Sequence, residues 1–124
     1  MKVLIVSSSP RKGGNSDVLC DQFAKGAAAA GHEVESVSLR EKRLSPCRAC
    51  YTCMENHICA INDDMAEIFP KLVAADVIVL ASPVYFYSIC SHGKIYSVQM
   101  GELWENHFAN YYFWNEPRHA YYFP

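Results

Sequence analysis

Val3-Leu4-Ile5-Val6 is an uninterrupted apolar, largely β-branched run, the pattern of a strand buried on both faces. It stops at residues 7–16, Ser-Ser-Ser-Pro-Arg-Lys-Gly-Gly-Asn-Ser, a stretch dominated by turn formers. Leu19, Phe23, Ala27 and Ala30 then recur at helical spacing and mark one apolar stripe. Asn15 or Ser16 is the expected N-cap of that helix, and Gly31 the residue that ends it. Residues 32–39 alternate loosely and are rich in Val and Ser, which reads as a strand over 33–38. Residues 45–62 have no period and read as an ordered loop. Asp64-Met-Ala-Glu67 has the form of a capping box, and Met65, Ile68 and Leu72 carry helical spacing to about Ala75. Pro70 falls inside that pattern and should kink or shorten the helix. Val77-Ile-Val-Leu80 is a second fully apolar strand, again expected to be covered on both faces.

Strand, helix, strand, helix, strand implies right-handed crossovers and a parallel sheet. The expectation is a three-layer α/β domain with strands near 2–6, 33–38 and 77–81 in spatial order 2-1-3. In such a sheet ligands sit beyond the carboxyl ends of the strands where the winding reverses, here between the first and third. The loops leaving those two strands are the most unusual polar stretches in the first 90 residues. Beyond Lys94 the character changes, since ten of the 16 aromatic residues fall in the last 30 and no period survives. Residues 108–114 have strand propensity alone. The chain therefore divides into residues 1–94 and an aromatic-rich tail, 95–124.

Composition narrows the partners. At 124 residues one domain is expected, and 51% hydrophobic against 19% charged residues excludes a disordered solvating segment. A net charge of −2 with no basic block carries no nucleic-acid footprint. No apolar run approaches the ~20 residues of a membrane helix, because Asp76 splits the longest. The opening apolar run ends at Ser7, too early for a signal-peptide core, so a cytoplasmic location is expected.

The first loop has the chemistry of a phosphate site: hydroxyls of Ser7, Ser8, Ser9 and Ser16, the Asn15 amide, the charges of Arg11 and Lys12, and a helix N-terminus behind Gly13 and Gly14. The same composition also suits a plain turn. It is neither a P-loop nor a G-x-G-x-x-G, which disfavours ATP and a Rossmann dinucleotide. The second loop carries Pro83-Val84-Tyr85-Phe86-Tyr87, aromatics that suit a core, an interface or, opposite a phosphate loop, the wall of a flat ring site.

S-S-P-R-x-G-G-N-S after the first strand and A-S-P-V-Y-F-Y-S after a later one resemble the flavodoxin-like NAD(P)H-dependent FMN reductases, with the iron-sulfur flavoproteins as the nearest branch. The resemblance covers about residues 1–94 and implies a flavodoxin-like fold. It implies that Ser9, Arg11, Asn15 and Ser16 hold the FMN phosphate and that Pro83, Val84, Tyr85 and Phe86 line the isoalloxazine. It further implies NAD(P)H or a ferredoxin-like carrier as electron donor and, if the C-terminal side is intact, a homo-oligomer. Ser91-His-Gly-Lys94 only faintly follows the helix with which relatives continue, and the tail does not match them. A truncated or frameshifted reading frame is one expectation for that side of the sheet.

Four of the six cysteines, Cys47, Cys50, Cys53 and Cys59, form C-x2-C-x2-C-x5-C. A tight turn of this spacing can present three thiolates to three corners of a [4Fe–4S] cubane while the fourth closes the site. The spacing is also that of the iron-sulfur flavoproteins. Zinc with His57 as a ligand, and reduced thiols with a Cys47–Cys50 redox pair, stay open as alternatives. Cys20 and Cys90 read as structural. None of the five histidines has a Ser or Cys partner at an interpretable spacing, and Asp63-Asp64 reads as a helix cap rather than an acid/base dyad. No side chain is named as catalytic, because a bound flavin would carry the chemistry. The leading expectation is an FMN-dependent oxidoreductase that passes electrons to a quinone, flavin or similar acceptor. The alternatives are a flavodoxin-type carrier, or a remnant with impaired cofactor binding.

Overall fold

The structure is a computed structural model and describes residues 1–53 and 58–96. The first apolar run is β1 (Lys2–Ser7), followed by α1 (Asn15–Ala29), β2 (Glu33–Ser38) and a single 3-10 turn, Leu39–Glu41. After the cysteine loop come α2 (Met65–Ala74), β3 (Val77–Ala81) and a short hairpin, β4 (Val84–Tyr85) with β5 (Ser88–Ile89). Residues 91–96 are helical, so the helix runs across position 94.

β1 is central and parallel to both neighbours, in the expected order β2-β1-β3. Val3 lies opposite Val34 and Val77, and Ser7 opposite Ser38 and Ala81. The alternation of β1 divides the core into two layers. Val3 and Ile5 pack with Cys20, Ala24 and Ala27 of α1, while Leu4 and Val6 pack with Met65, Ile68 and Leu72 of α2 and with Tyr96. Each fully buried aliphatic side chain in these layers contributes about 1.5–3 kcal/mol. The three-layer flavodoxin-like architecture is thus present. No helix among the described residues is long and apolar enough to cross a membrane.

Four local expectations are corrected. The α1 stripe is not Leu19-Phe23-Ala27-Ala30: Leu19 is 70% exposed, and Phe23 and Ala30 are exposed too. The face on the sheet is Cys20-Ala24-Ala27, whose small side chains let the helix backbone lie close to β1 and β2. The helix starts one residue earlier than expected, with Gly14 as N-cap and no side-chain capping bond. Its other end is as read: Gly31 (φ +83°) allows its N–H to reach the Ala28 carbonyl and that of His32 to reach Ala27, a Schellman closure.

The Asp64–Glu67 capping box does not form. Asp64 accepts the N–H of Arg43, Asp63 accepts those of Met65 and Ser45, and Glu67 pairs with Lys42 and Lys71. Of the acidic pair only Asp63 accepts an amide of the helix, while both acids pin residues 43–45 to its start. β3, although fully apolar, is only half-buried, and Leu80 is 54% exposed. β1 has a strand on either side, whereas β3 has β1 on one side and no second neighbour among the described residues. Residues 108–114, proposed as a further strand, lie outside the described residues.

Candidate functional site

The β2-β1-β3 order brings the loops after β1 and β3 to the same carboxyl edge, and hydrogen bonds lock them there. The Ser8 N–H and hydroxyl both donate to the Ala81 carbonyl, at 2.8 and 3.1 Å. The Cys90 thiol donates to the Ser8 carbonyl at 2.9 Å, and the Cys90 N–H donates to Ser82 Oγ at 3.1 Å. Cys90, read as structural, is therefore the joint between β1, the β3 loop and the helix that follows. Burial disfavours its thiolate, but hydrogen bonds involving Ser8, the Gly93 amide and Ser82 outweigh this and hold the thiol below its ordinary value.

Between the loops is a cleft of about 180 Å³ lined by Ser9, Arg11, Gly14, Asn15, Ser16, Pro83 and Tyr85. Six of the eight residues singled out for a flavin meet here although they lie as far apart as positions 9 and 85. The other two, Val84 and Phe86, do not line it. Phe86 and Tyr87 form the hairpin tip with φ of +47° and +62°, a primed turn that normally uses Asn-Gly. Bulky residues in this region store roughly 1–3 kcal/mol of strain each. They are 95% and 97% exposed and touch edge to face at 5.9 Å. The hairpin was not legible in the sequence, because no glycine or asparagine marks its turn.

The donor set of the cleft fits an anion. Gly14 has no side chain to cap α1, so the first-turn amides beside Asn15 and Ser16 have no capping side chain. Two residues missed in the sequence hold this loop in shape. Asp17 accepts the N–H of Gly13 at 2.9 Å and the Ser7 hydroxyl at 3.2 Å, and pairs with Arg40 at 2.8 Å. Burial alone would raise the Asp17 carboxyl, but the bonds from Gly13, Arg40 and Ser7 hold it below its ordinary value. Asp17 was detectable as an acid in the first turn of the helix; Arg40 gave no signal, because its partners belong to other elements.

The four cysteines of the 45–62 loop form no disulfide, and Cys50 is exposed. Among the described residues no three His, Cys, Asp or Glu side chains stand close enough together to hold a metal. His57 lies outside the described residues. Cys47, Cys50 and Cys59 each accept a hydrogen bond at sulfur from the residue two positions on: Ala49 N–H to Cys47, the Thr52 hydroxyl to Cys50, and Ile61 N–H to Cys59, at 3.4, 3.5 and 3.4 Å. The Thr52 bonds hold the Cys50 thiol below its ordinary value. Ala49 and Tyr51 have φ of +51° and +59°, the alternation that turns successive amides inward.

Comparison with known proteins gives the family. The family model described as NADPH-dependent FMN reductase matches residues 1–94. An iron-sulfur flavoprotein of Methanocaldococcus jannaschii is 42% identical over 95 residues, covering 77% of this chain and 49% of that protein. One from Methanosarcina thermophila is 40% identical over 85 residues, covering 68% and 44%. The chain spans about half the length of the curated relatives it matches. An NAD(P)H:quinone oxidoreductase from Methanothermobacter marburgensis shares the fold with a TM-score of 0.66 at 19% identity, over 81% of this chain and 52% of that one. The match across residues 1–94 makes the chain a member of the NADPH-dependent FMN reductase family.

Proposed function

We propose that the chain binds FMN in the cleft between the β1 and β3 loops and works as an FMN-dependent oxidoreductase. The observation that carries this is the meeting of Ser9, Arg11, Asn15 and Ser16 with Pro83 and Tyr85 in one cleft. Its size supports a division of roles: about 180 Å³ is below the ~300 Å³ of a small-molecule pocket, so it suits the phosphate end of the ligand. The Arg11 guanidinium and the α1 N-terminus would neutralise that phosphate, and the Ser9, Ser16 and Asn15 side chains would hydrogen-bond it. Tyr85 extends the wall toward Val84 and the exposed Phe86, which offer an apolar face to the ring. Bound FMN would supply the redox chemistry, taking electrons from NAD(P)H or a reduced carrier and giving them to a quinone, flavin or similar acceptor.

The four cysteines are proposed to hold a [4Fe–4S] cluster. The spacing, the hydrogen bonds to three sulfurs and the names of the relatives support it.

The test is a flavin titration of the parent chain and of an Arg11→Ala/Asn15→Ala variant. The parent should bind FMN more tightly than riboflavin, and the variant should lose roughly 10- to 100-fold in FMN affinity. A variant that holds FMN as tightly as the parent would refute the assignment. Steady-state NAD(P)H oxidation with a quinone acceptor then separates an enzyme from a carrier, which would show almost none.

A further inference from the structure

We propose that Arg40 is a positioning residue for this anion-binding loop, acting from behind it and through Asp17; the proposal rests on the FMN reading above. The loop after β1 is a thin wall between two spaces. In front is the cleft of Ser9, Arg11, Asn15 and Ser16; behind is a cavity of about 350 Å³ whose lining includes Lys12, Gly13, Asp17 and Arg40. Arg40 does not line the cleft. From the rear, its Nη1 donates to Asp17 Oδ2 at 2.8 Å and to the carbonyls of Ser9 and Arg11 at 3.2 and 3.4 Å. Asp17 in turn holds Gly13 and Ser7.

Two consequences bear on an anion. A planar trans peptide directs its N–H opposite to its C=O, so holding the Arg11 carbonyl back directs the Lys12 N–H away from Arg40. Loop carbonyls, which would repel a phosphate, are thereby kept out of its way. Asp17 is also a negative charge in the first turn of the helix whose N-terminus borders the cleft. The Arg40 guanidinium cancels that charge, so the helix end keeps its attraction for an anion. Arg40 thus links the start of the cysteine-bearing connection to the shape and potential of the cleft without touching the ligand.

The test compares FMN with riboflavin, which lacks the phosphate, by flavin fluorescence titration of the full chain. Arg40→Gln should weaken FMN binding about tenfold or more while riboflavin changes less than about twofold, since an uncompensated Asp17 acts on the phosphate. Adding Asp17→Asn to Arg40→Gln should restore most of the FMN affinity. Where Arg40→Gln does not fold, Arg40→Lys decides: it keeps the charge but not the planar fork, and should lower the FMN-to-riboflavin preference about threefold. A parent that binds FMN no more tightly than riboflavin refutes the phosphate reading and the proposal with it. With that preference intact in the parent, three results overturn the role of Arg40 alone: an unchanged preference in the folded variant, an equal loss of both ligands, or a double variant no better than Arg40→Gln.

Discussion

Ser8 and Ala81 join the carboxyl ends of β1 and β3 through two donors on one carbonyl, the Ser8 amide at 2.8 Å and its hydroxyl at 3.1 Å. The two loops of the cleft therefore spring from one fixed point, and the precision of the site depends on how tightly that point is packed.

Gly93 bounds the point on its other side. A Cβ there would stand 2.9 Å from Ser8 Oγ and 3.3 Å from Ser8 Cβ. The hydroxyl is already committed to Ala81, so it cannot swing aside without losing that bond. Gly93→Ala should cost about 1–3 kcal/mol by overpacking, read from urea unfolding. The loss should shrink in a Ser8→Ala background, and equal losses in both backgrounds would show that the contact is not the cause.

Leu19 and Leu72 look alike as helical core residues in the sequence, but one is 70% exposed and the other fully buried. Leu72→Ala should cost about 2–5 kcal/mol, and Leu19→Ala less than about 0.5 kcal/mol. Comparable losses would return Leu19 to the core.

Asp17 gives stability a pH dependence. Its carboxyl lies below its ordinary value in the folded chain, so its contribution is complete above the unfolded value near 3.8 and fades as pH falls through the folded value. Unfolding midpoints of the parent should fall more steeply than those of Asp17→Asn as pH drops from about 5 toward 3. Parallel pH curves would mean that the Arg40 pair is not felt.

Phe86-Tyr87 occupies a turn suited to Asn-Gly. Phe86→Asn with Tyr87→Gly should stabilise the hairpin by about 1–2 kcal/mol through relief of strain. FMN affinity should fall at the same time if Phe86 supplies part of the ring wall. A gain in stability with unchanged FMN affinity would confine the wall to Pro83 and Tyr85.

Anaerobic reconstitution should load iron and acid-labile sulfide onto the parent chain, and Cys50→Ser should lose both while FMN binding stays. Elemental analysis checks the first and flavin titration the second. A parent that takes up no stoichiometric iron would remove the cluster and leave the flavin site standing.

Much of this molecule was legible from local pattern. Three strands, their parallel order and the closure at Gly31 follow from apolar runs, crossover handedness and a glycine that tolerates positive φ. The loops at 7–16 and 81–88 were visible because turn formers and aromatics break the pattern, and the strand order made them neighbours. Tertiary structure alone decided which α1 stripe faces the sheet. Periodicity gives a spacing and not a phase, and close helix–sheet packing favoured Cys20-Ala24-Ala27 over the larger Leu19 and Phe23. Likewise, an apolar strand becomes core only with neighbours on both sides, and β3 has one among the described residues. The Asp17–Arg40 pair and the Cys90 joint could not be read in advance, because a hydrogen bond between residues 23 or 82 positions apart exists only once the sheet has brought them together.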